Sequence, residues 1–554
     1  MKLFVRDLVL TAARAAHAAG VLPSDDFPAV EVQWPKIDSH GDFSTNFAML
    51  SAKSQKMAPR RIAQALVDHM PKDTKQLARA EIAGPGFVNF FLHPAAWPPV
   101  VRQVLEADRT YGACDIGRGQ SVQVEFVSAN PTGPLHVGHG RGAVVGDTLA
   151  RLLSFCGYNV QREYYINDSG RQIQTLGHSV LLRGRELVGH TVNFPEACYQ
   201  GGYIRTLAKD LLEERGAAFF EQDDEAVAAE CARFAAGRII AGIRDDLGAF
   251  GVFFDEWFSE QSLYDSGQVD AVLDDLKTSG VVYAHEDAWW FRTTDFGDEK
   301  DRVVVRGDGR TTYFASDIAY HQNKFHRGFE RVIDVWGADH HGYIPRMTAA
   351  VQAVGRRREQ FQVLLVQLVS LLRGGQPVAM GKRSGEFITL REVLDEVGSD
   401  AARFIFLTRG YDSSLDFDLE VAKQQSNDNP VYYVQYVHAR IASILHKAAS
   451  QGLPIDGWHE AAEVHLGEVE EIQLIKALDR YPETIEQSAK TLAPHRLTFY
   501  LRELAALFHA YYNKHRVLTE DIQLTAARLC LVLAVQKVIR NGLSLVGVSA
   551  PDRM

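Results

Sequence analysis

The densest chemistry in the 554-residue chain surrounds His136-Val-Gly-His139. The pair follows a β-rich run, Ser121–Ser128, and a turn, Asn130-Pro-Thr-Gly-Pro134, and it opens a helical pattern reaching to about Phe155. A helix N-terminus offers free N–H groups and the positive end of the dipole, which makes it a seat for phosphates. Two histidines three residues apart share one face and can donate to phosphate oxygens, while Gly138 lets a flat base approach the backbone. Two surface histidines at a helix start, or a zinc pair with no obvious third ligand, are the alternatives. Trp336-Gly-Ala-Asp-His-His-Gly342 stands at the carboxyl end of a strand-like run, where open α/β sheets bind ligands. Asp339 there suits ribose hydroxyls, and His340 or His341 a base or phosphate. Neighbours on one strand face opposite ways, which argues against a metal held by Asp339, His340 and His341. Met380-Gly-Lys-Arg-Ser-Gly385 is a basic loop. Lys382 and Arg383 could swing onto a polyphosphate from it, or the loop could be a solvated turn.

The elements that must position these residues read as three parts. Residues 1–112 mix helical runs with a Gly/Pro-punctuated turn and strand at 81–92, a small α+β domain. Residues 113–400 begin with strand, helix and strand (Tyr158–Ile166), a βαβ unit that predicts a parallel sheet. A helical insertion is expected at about 172–290, before strands return at Arg331–Trp336 and Phe361–Leu372. After a connector, 401–428, apolar residues recur at helical spacing through 429–554, an all-α bundle. Hydrophobic residues at 46% and charged residues at 23% exclude a disordered or fibrous chain. No run of about 18 apolar residues reads as a membrane span, and the first residues break with charge too early for a secretory signal. Five scattered cysteines predict reduced thiols and a cytoplasmic protein. The net charge of −11 sits in the middle of the chain: residues 111–426 carry −12, against +2 before and −1 after. The ends can therefore offer basic faces to a polyanion, and the centre suits a cationic ligand.

Together, His136-Val-Gly-His139 and Met380-Gly-Lys-Arg-Ser384 resemble the signature pair of class I aminoacyl-tRNA synthetases. The wider string from Glu125 to Gly142, Ser39-His-Gly-Asp-Phe-Ser-Thr-Asn46, Tyr433-Val-Gln-Tyr-Val-His-Ala-Arg440 and the ending Gly547–Met554 resemble the bacterial arginyl-tRNA synthetases over the whole chain. The resemblance implies a Rossmann-like catalytic domain, ATP and Mg²⁺, L-arginine and tRNA(Arg) as partners, no protein-held metal, no membrane and a monomer. It places arginine on Glu125, Asn130, Tyr313 and Asp317, the last two within Thr312-Tyr-Phe-Ala-Ser-Asp317. It assigns ATP to Gly138, Gly337, Asp339, His340, Met380 and Lys382, with His136, His139 and Lys382 stabilising phosphate charge. It assigns tRNA to Asp42, Phe43 and Asn46 in the first domain, and to Tyr436, Arg440, Tyr511, Tyr512 and Asn513 in the bundle. A guanidinium has five donors in a planar fork, so a site built for it needs carboxylates. Ala379 replaces the first lysine of the loop motif, and no lysine precedes His136 in Asn130–Pro134. Either Arg383 or another cation substitutes, or Mg²⁺ and the histidines meet the phosphate charge. A different class I synthetase, a nucleotidylyltransferase and a non-catalytic RNA-binding protein are the rival readings.

Overall fold

The computed structural model describes residues 1–71, 75–222, 225–378, 388–455 and 457–554. Ala379, Met380, Lys382 and Arg383 therefore lie outside the described residues.

The middle of the chain is built on a parallel sheet of five strands: β1 (Ser121–Phe126), β2 (Asn159–Ile166), β3 (Glu256–Ser259), β4 (Arg331–Gly337) and β5 (Phe361–Val366), in the order β5-β4-β1-β2-β3. The chain winds outward from β1 to β3 and then returns to lay β4 against β1's other edge. That makes the β1/β4 boundary the switch point at which ligands enter such sheets. Helix α1 (Val137–Phe155) is the crossover between β1 and β2. It lies so close to β1 that a Cβ on Gly146 would meet the Phe126 ring at 2.2 Å. Helix α2 (Tyr313–His326) precedes β4.

Between β2 and β4 the expected helical insertion is purely helical only up to Ala249, with helices at Gly170–Leu187, Gly202–Arg215, Ala217–Phe220 and Glu225–Ala249, and mixes strands with the helices Gln261–Asp265 and Gln268–Thr278 thereafter. The rest corrects the expectation for 172–290. Glu256–Ser259 adds an edge strand to the parallel sheet, and Val282–His285, Ala288–Phe291 and Arg302–Val305 form a separate antiparallel sheet. Four-residue strands carry too few alternations to show against a long helical background. The run Phe361–Leu372 likewise divides. Its first half is β5, while Val369–Arg373 joins a second small sheet beside Leu415–Asp418.

In the N-terminal region, Leu77–Ala83 and Phe87–Leu92 form a hairpin around Gly84-Pro85-Gly86, where a single strand was expected. Helices Pro430–Ser450, Val469–Lys490, His495–Lys514 and Ile522–Leu545 make the C-terminal bundle. Ile522–Leu545 is apolar and long enough to cross a membrane, yet it is the bundle's central helix and mostly buried inside it. The two terminal regions touch: the Tyr111 hydroxyl donates to the Leu478 carbonyl (3.0 Å), and Asp108 pairs with Lys537 (2.7 Å) and Arg540 (2.5 Å).

Candidate active site

At the carboxyl end of β1 the chain turns through Val127 (φ 68°) and Ser128 (φ 39°). A β-branched residue at positive φ is strained, and such strain collects at functional sites. The kink serves Ser128, whose hydroxyl donates to Glu125 Oε1 (2.9 Å) and accepts the Tyr165 N–H (3.1 Å). Beyond it, the Tyr164 hydroxyl donates to the Ala129 carbonyl (2.9 Å), and the Tyr203 hydroxyl to that of Thr132 (2.6 Å). The loop then delivers His136 as the N-cap of α1. The Gly138 N–H donates to His136 Nδ1 (3.1 Å), and the His136 N–H donates to His139 Nδ1 (3.2 Å). The two rings stack with centroids 3.7 Å apart. Burial, reinforced by His136, lowers His139 to about 3, so it stays neutral, and with Nδ1 accepting, its proton sits on Nε2. Gly138 has a use besides base approach: a Cβ there would meet the His136 ring at 3.0 Å. Thr389 forms a bridge to His136, and the Leu390 N–H donates to the Leu135 carbonyl (2.8 Å). The chain that follows residues 379–387 therefore runs beside the histidines.

A cavity of about 340 Å³ opens across the switch point. Glu125, Asn130, Tyr313 and Asp317 all line it, as do Gly337 and His340. His136, His139 and Asp339 lie outside its wall; Asp339 and His340 are largely exposed on a single turn after β4. Four carboxylates face the cavity: Glu125, Glu260, Asp317 and Asp334. Their surroundings differ sharply.

Asp334 on β4, Glu125 on β1 and Glu163 on β2 sit in register on adjacent parallel strands, so three acids stand side by side in the sheet. All three are buried. Like charges so placed repel and require cations. One face of α2, continued by its C-cap Arg327, supplies them at spacings of three and four residues. Lys324 Nζ lies 2.5 Å from Glu125 Oε2 and 2.9 Å from Asp334 Oδ1. Arg327 holds Glu163 through two bonds (2.6 and 2.8 Å), and the Tyr320 hydroxyl donates to the same carboxylate (2.6 Å). His321 bridges the Asp317 carbonyl (Nδ1, 2.8 Å) and Asp334 (Nε2, 3.0 Å). Burial pushes the Glu125 carboxyl up while Lys324 pulls it back, leaving it raised. At Asp334 the same burial is outweighed by Lys324 and His321, and the carboxyl lies below its usual value.

The other two acids have no such partner. Asp317, one helical turn before His321 on α2, accepts the Tyr343 hydroxyl. Glu260, just past β3, accepts the Ser316 hydroxyl (2.7 Å). Neither has a Lys or Arg within ion-pair distance among the described residues. Burial lifts Asp317 to about 6 against the pull of Tyr343. Burial also raises Glu260, against its hydrogen bond from Ser316. A cationic ligand would favour the charged form of both carboxyls, so this end of the cavity is suited to one. Among the described residues no group of three or more His, Cys, Asp or Glu side chains could hold a metal ion.

Sequence reasoning missed Glu260, Asp334 and Lys324. Glu260 follows the short strand hidden in the insertion. Asp334 did leave a signal, a charged residue in the middle of the apolar run RVIDVW, which in a buried strand demands a partner. Lys324 lies two helical turns beyond Asp317 on the same face of α2.

The residues expected to contact RNA divide. Asp42 accepts the Leu92 N–H (2.6 Å) and pairs with Lys476 of the bundle, so it is a buried strut between the terminal regions. Phe43 is fully buried, packed on Trp34 (4.4 Å) and Trp97 (6.0 Å). Tyr511 is likewise buried and stacked on His515 (5.4 Å). The structure therefore places all three inside the fold: Asp42 in a side-chain pair, and the two rings in the core, where neither presents a face to a base. Asn46 is half-buried, with its side-chain oxygen enclosed. Tyr436, Arg440, Tyr512 and Asn513 do come together, lining a groove of about 1100 Å³ with Lys447, Arg516 and Arg553. The Arg440 guanidinium lies 4.5 Å from the Tyr436 ring and 4.6 Å from that of Tyr512, and it donates to the Tyr436 hydroxyl (2.8 Å).

A parallel sheet with its cavity at the switch point, a histidine-capped helix beside it and an α-bundle with an aromatic–arginine groove make up the architecture expected of a class I aminoacyl-tRNA synthetase. Residues 100–408 match the family model described as tRNA synthetases class I (R), catalytic domain. Residues 6–92 match the arginyl tRNA synthetase N terminal domain, and residues 434–554 the DALR anticodon binding domain. The chain belongs to the arginyl-tRNA synthetase family. It is 60% identical over 556 residues to the arginine–tRNA ligase of Desulfosudis oleivorans and 53% identical over 556 residues to that of Geobacter sp. (strain M21), covering all of each chain in both cases. The arginyl-tRNA synthetase of Thermus thermophilus superposes with a TM-score of 0.75 at 25% identity, covering 99% of this chain and 100% of that one.

Proposed function

We propose that this chain activates L-arginine with ATP and transfers it to the 3′-terminal ribose of tRNA(Arg), with Asp317 and Glu260 taking the guanidinium. The observation that carries this reading is the division among the four acids: Glu125 and Asp334 share Lys324, whereas Glu260 and Asp317 have no Lys or Arg partner among the described residues. A permanently charged planar fork supplies donors for both. Tyr313 at the rim, half exposed, borders the side-chain end, and Asn130 on the β1–α1 loop suits the α-amino end. The arginine carboxylate attacks the α-phosphate of ATP, a P–O bond to pyrophosphate breaks, and arginyl-adenylate forms. A ribose hydroxyl of the tRNA terminus then attacks the acyl carbon, its proton departs and AMP leaves. Neither step uses a protein nucleophile. His136 and His139 act as donors to the phosphates from the α1 N-terminus, and neutral His139 donates from Nε2 without adding charge. Gly337, Asp339 and His340 border the nucleoside, and Met380 and Lys382 belong to the phosphate side. Magnesium enters with ATP as part of that substrate. The bundle groove takes unstacked bases, stacked on Tyr436 and Tyr512 and contacted by Arg440 and Asn513. We read the chain as a cytoplasmic monomer.

The test is ATP–pyrophosphate exchange in the presence of tRNA, comparing arginine with its neutral isostere citrulline. Exchange with arginine and none with citrulline is expected. Equal exchange would remove the two-acid pocket from the account.

A further inference from the structure

A second cleft, of about 310 Å³, lies against the acidic cavity and has the opposite charge. Arg302, Arg306 and Arg346 line it, and no Asp or Glu does among the described residues. Tyr313 and Tyr343 line both spaces, so two tyrosines stand between a place for a cation and a place for an anion. The three arginines are not equivalent. Arg302 is engaged by the buried Asp298 through two hydrogen bonds (2.8 and 2.9 Å). Arg306 and Arg346 have no Asp or Glu within ion-pair distance among the described residues, and Asp308, the acid of the same turn as Arg306, is taken by Arg310 (2.8 Å).

Local structure aims both free arginines outward. Arg306 follows the strand Arg302–Val305 at a tight turn, closed by its N–H donating to the Arg310 carbonyl (2.9 Å), and it is exposed. Arg346 stands in the first turn of the helix Ile344–Ala353, against the rings of Tyr343 (4.6 Å) and Phe314 (5.7 Å). Its Nε is buried with no hydrogen-bond partner among the described residues. A cation in a helix's first turn opposes the dipole, so it does not stabilise the helix it sits on. For an arriving anion the guanidinium and the positive helix end act together.

We propose that this cleft binds phosphodiester groups of the single-stranded 3′ end of tRNA, with Arg306 and Arg346 as donors, while the terminal ribose passes the tyrosines to the acyl group in the acidic cavity. A planar guanidinium fork matches two oxygens of one phosphate, and the cleft supplies two such forks. The tail of ATP carries the same chemistry, but His136 and His139, the donors assigned to it, do not line this cleft. The inference rests on the reading that the enzyme transfers arginine to tRNA.

The test measures binding of full-length wild type, Arg306→Gln, Arg346→Gln and the double variant to tRNA(Arg) and to the same tRNA lacking its single-stranded 3′ nucleotides. Each single variant is expected to weaken binding of intact tRNA on the order of 5-fold, and the double variant on the order of 20-fold. The slope of log affinity against log salt should become shallower by about 0.7 for each lost contact. Truncated tRNA should bind all the proteins within about 2-fold of one another. ATP KM, read from pyrophosphate exchange at saturating tRNA, should also stay within about 2-fold. Equal losses on both RNAs would move the contact to another part of the tRNA, and unchanged binding of intact tRNA would remove it. A raised ATP KM with unchanged tRNA binding would give the cleft to the triphosphate. Each of these results overturns the proposal. Should Arg346→Gln not fold, the two-RNA comparison with the exposed Arg306→Gln decides by itself. Wild-type enzyme that failed to charge tRNA with arginine would sink the functional reading, whereas normal charging with variants indifferent to the 3′ end would sink only this step.

Discussion

Along the carboxyl ends of β4, β1 and β2, acids are packed against cations of their own chain. In the groove of the C-terminal bundle, Arg440, Lys447, Arg516 and Arg553 line a wall in which no Asp or Glu side chain takes part among the described residues. Among the described residues the cavity at the switch point leaves Asp317 and Glu260 without a Lys or Arg partner, which suits one small cation held at fixed geometry. The groove leaves four cations on flexible stems and offers aromatic faces, which suits a polyanion whose bases must stack. On the proposed reading, one region selects by charge inside low-dielectric walls. The other attracts by a surplus in water. Burial decides which strategy is open, because an unpaired charge is tolerable at a wetted surface and costly in the interior.

That contrast makes substitutions in the pocket larger in effect and narrower in scope than those in the groove. The largest effect is expected for Asp317→Asn. Losing its charge-assisted bonds, each contributing about 1.5–3 kcal/mol, should raise arginine KM on the order of 100-fold and leave tRNA KM within about 2-fold. Steady-state exchange and aminoacylation kinetics check both halves. Next comes Arg440→Ala, which removes the guanidinium between Tyr436 and Tyr512. It should raise tRNA KM about 10-fold with arginine KM unchanged, and the effect should shrink as salt is added. A rise in arginine KM of similar size would erase the division between the regions. The smallest effect is with pH. Asp317 titrates at about 6, above the ordinary carboxylate range, so it loses its charge as pH falls through that value. The guanidinium stays charged throughout, and arginine KM should therefore rise about 4-fold between pH 7.5 and 5.5. In Asp317→Asn that rise should be largely gone.

How far these features were legible in the sequence follows from how local they are. The β1–turn–α1 segment could be read because its strand, its Pro/Gly turn and its histidine cap all lie within ~35 residues. Asn130, Glu125, Tyr313 and Asp317 were named from motifs, and the fold brings them to one cavity. Glu260 escaped because a four-residue strand after 25 residues of helix leaves almost no periodic trace. Lys324 escaped because its partners come from two other strands, a long-range match that no window contains. Phe43 and Tyr511 show the opposite failure. Their types suit base stacking, yet helix and strand packing put both rings inside, where large aromatics most often contribute area rather than contacts to ligands. Tyr512, one residue after Tyr511, faces the groove, and a shift of one position on a helix is all that separates the two roles.

The central claim is that a guanidinium completes the charge of Asp317 and Glu260. A crystal structure of the enzyme with a non-hydrolysable arginyl-adenylate analogue tests it most directly. The account predicts guanidinium nitrogens about 3 Å from carboxylate oxygens of both residues, with Lys324 still seated on Glu125. A guanidinium found on Glu125 and Asp334 with Lys324 displaced, or the arginyl group lying outside the cavity, would contradict it.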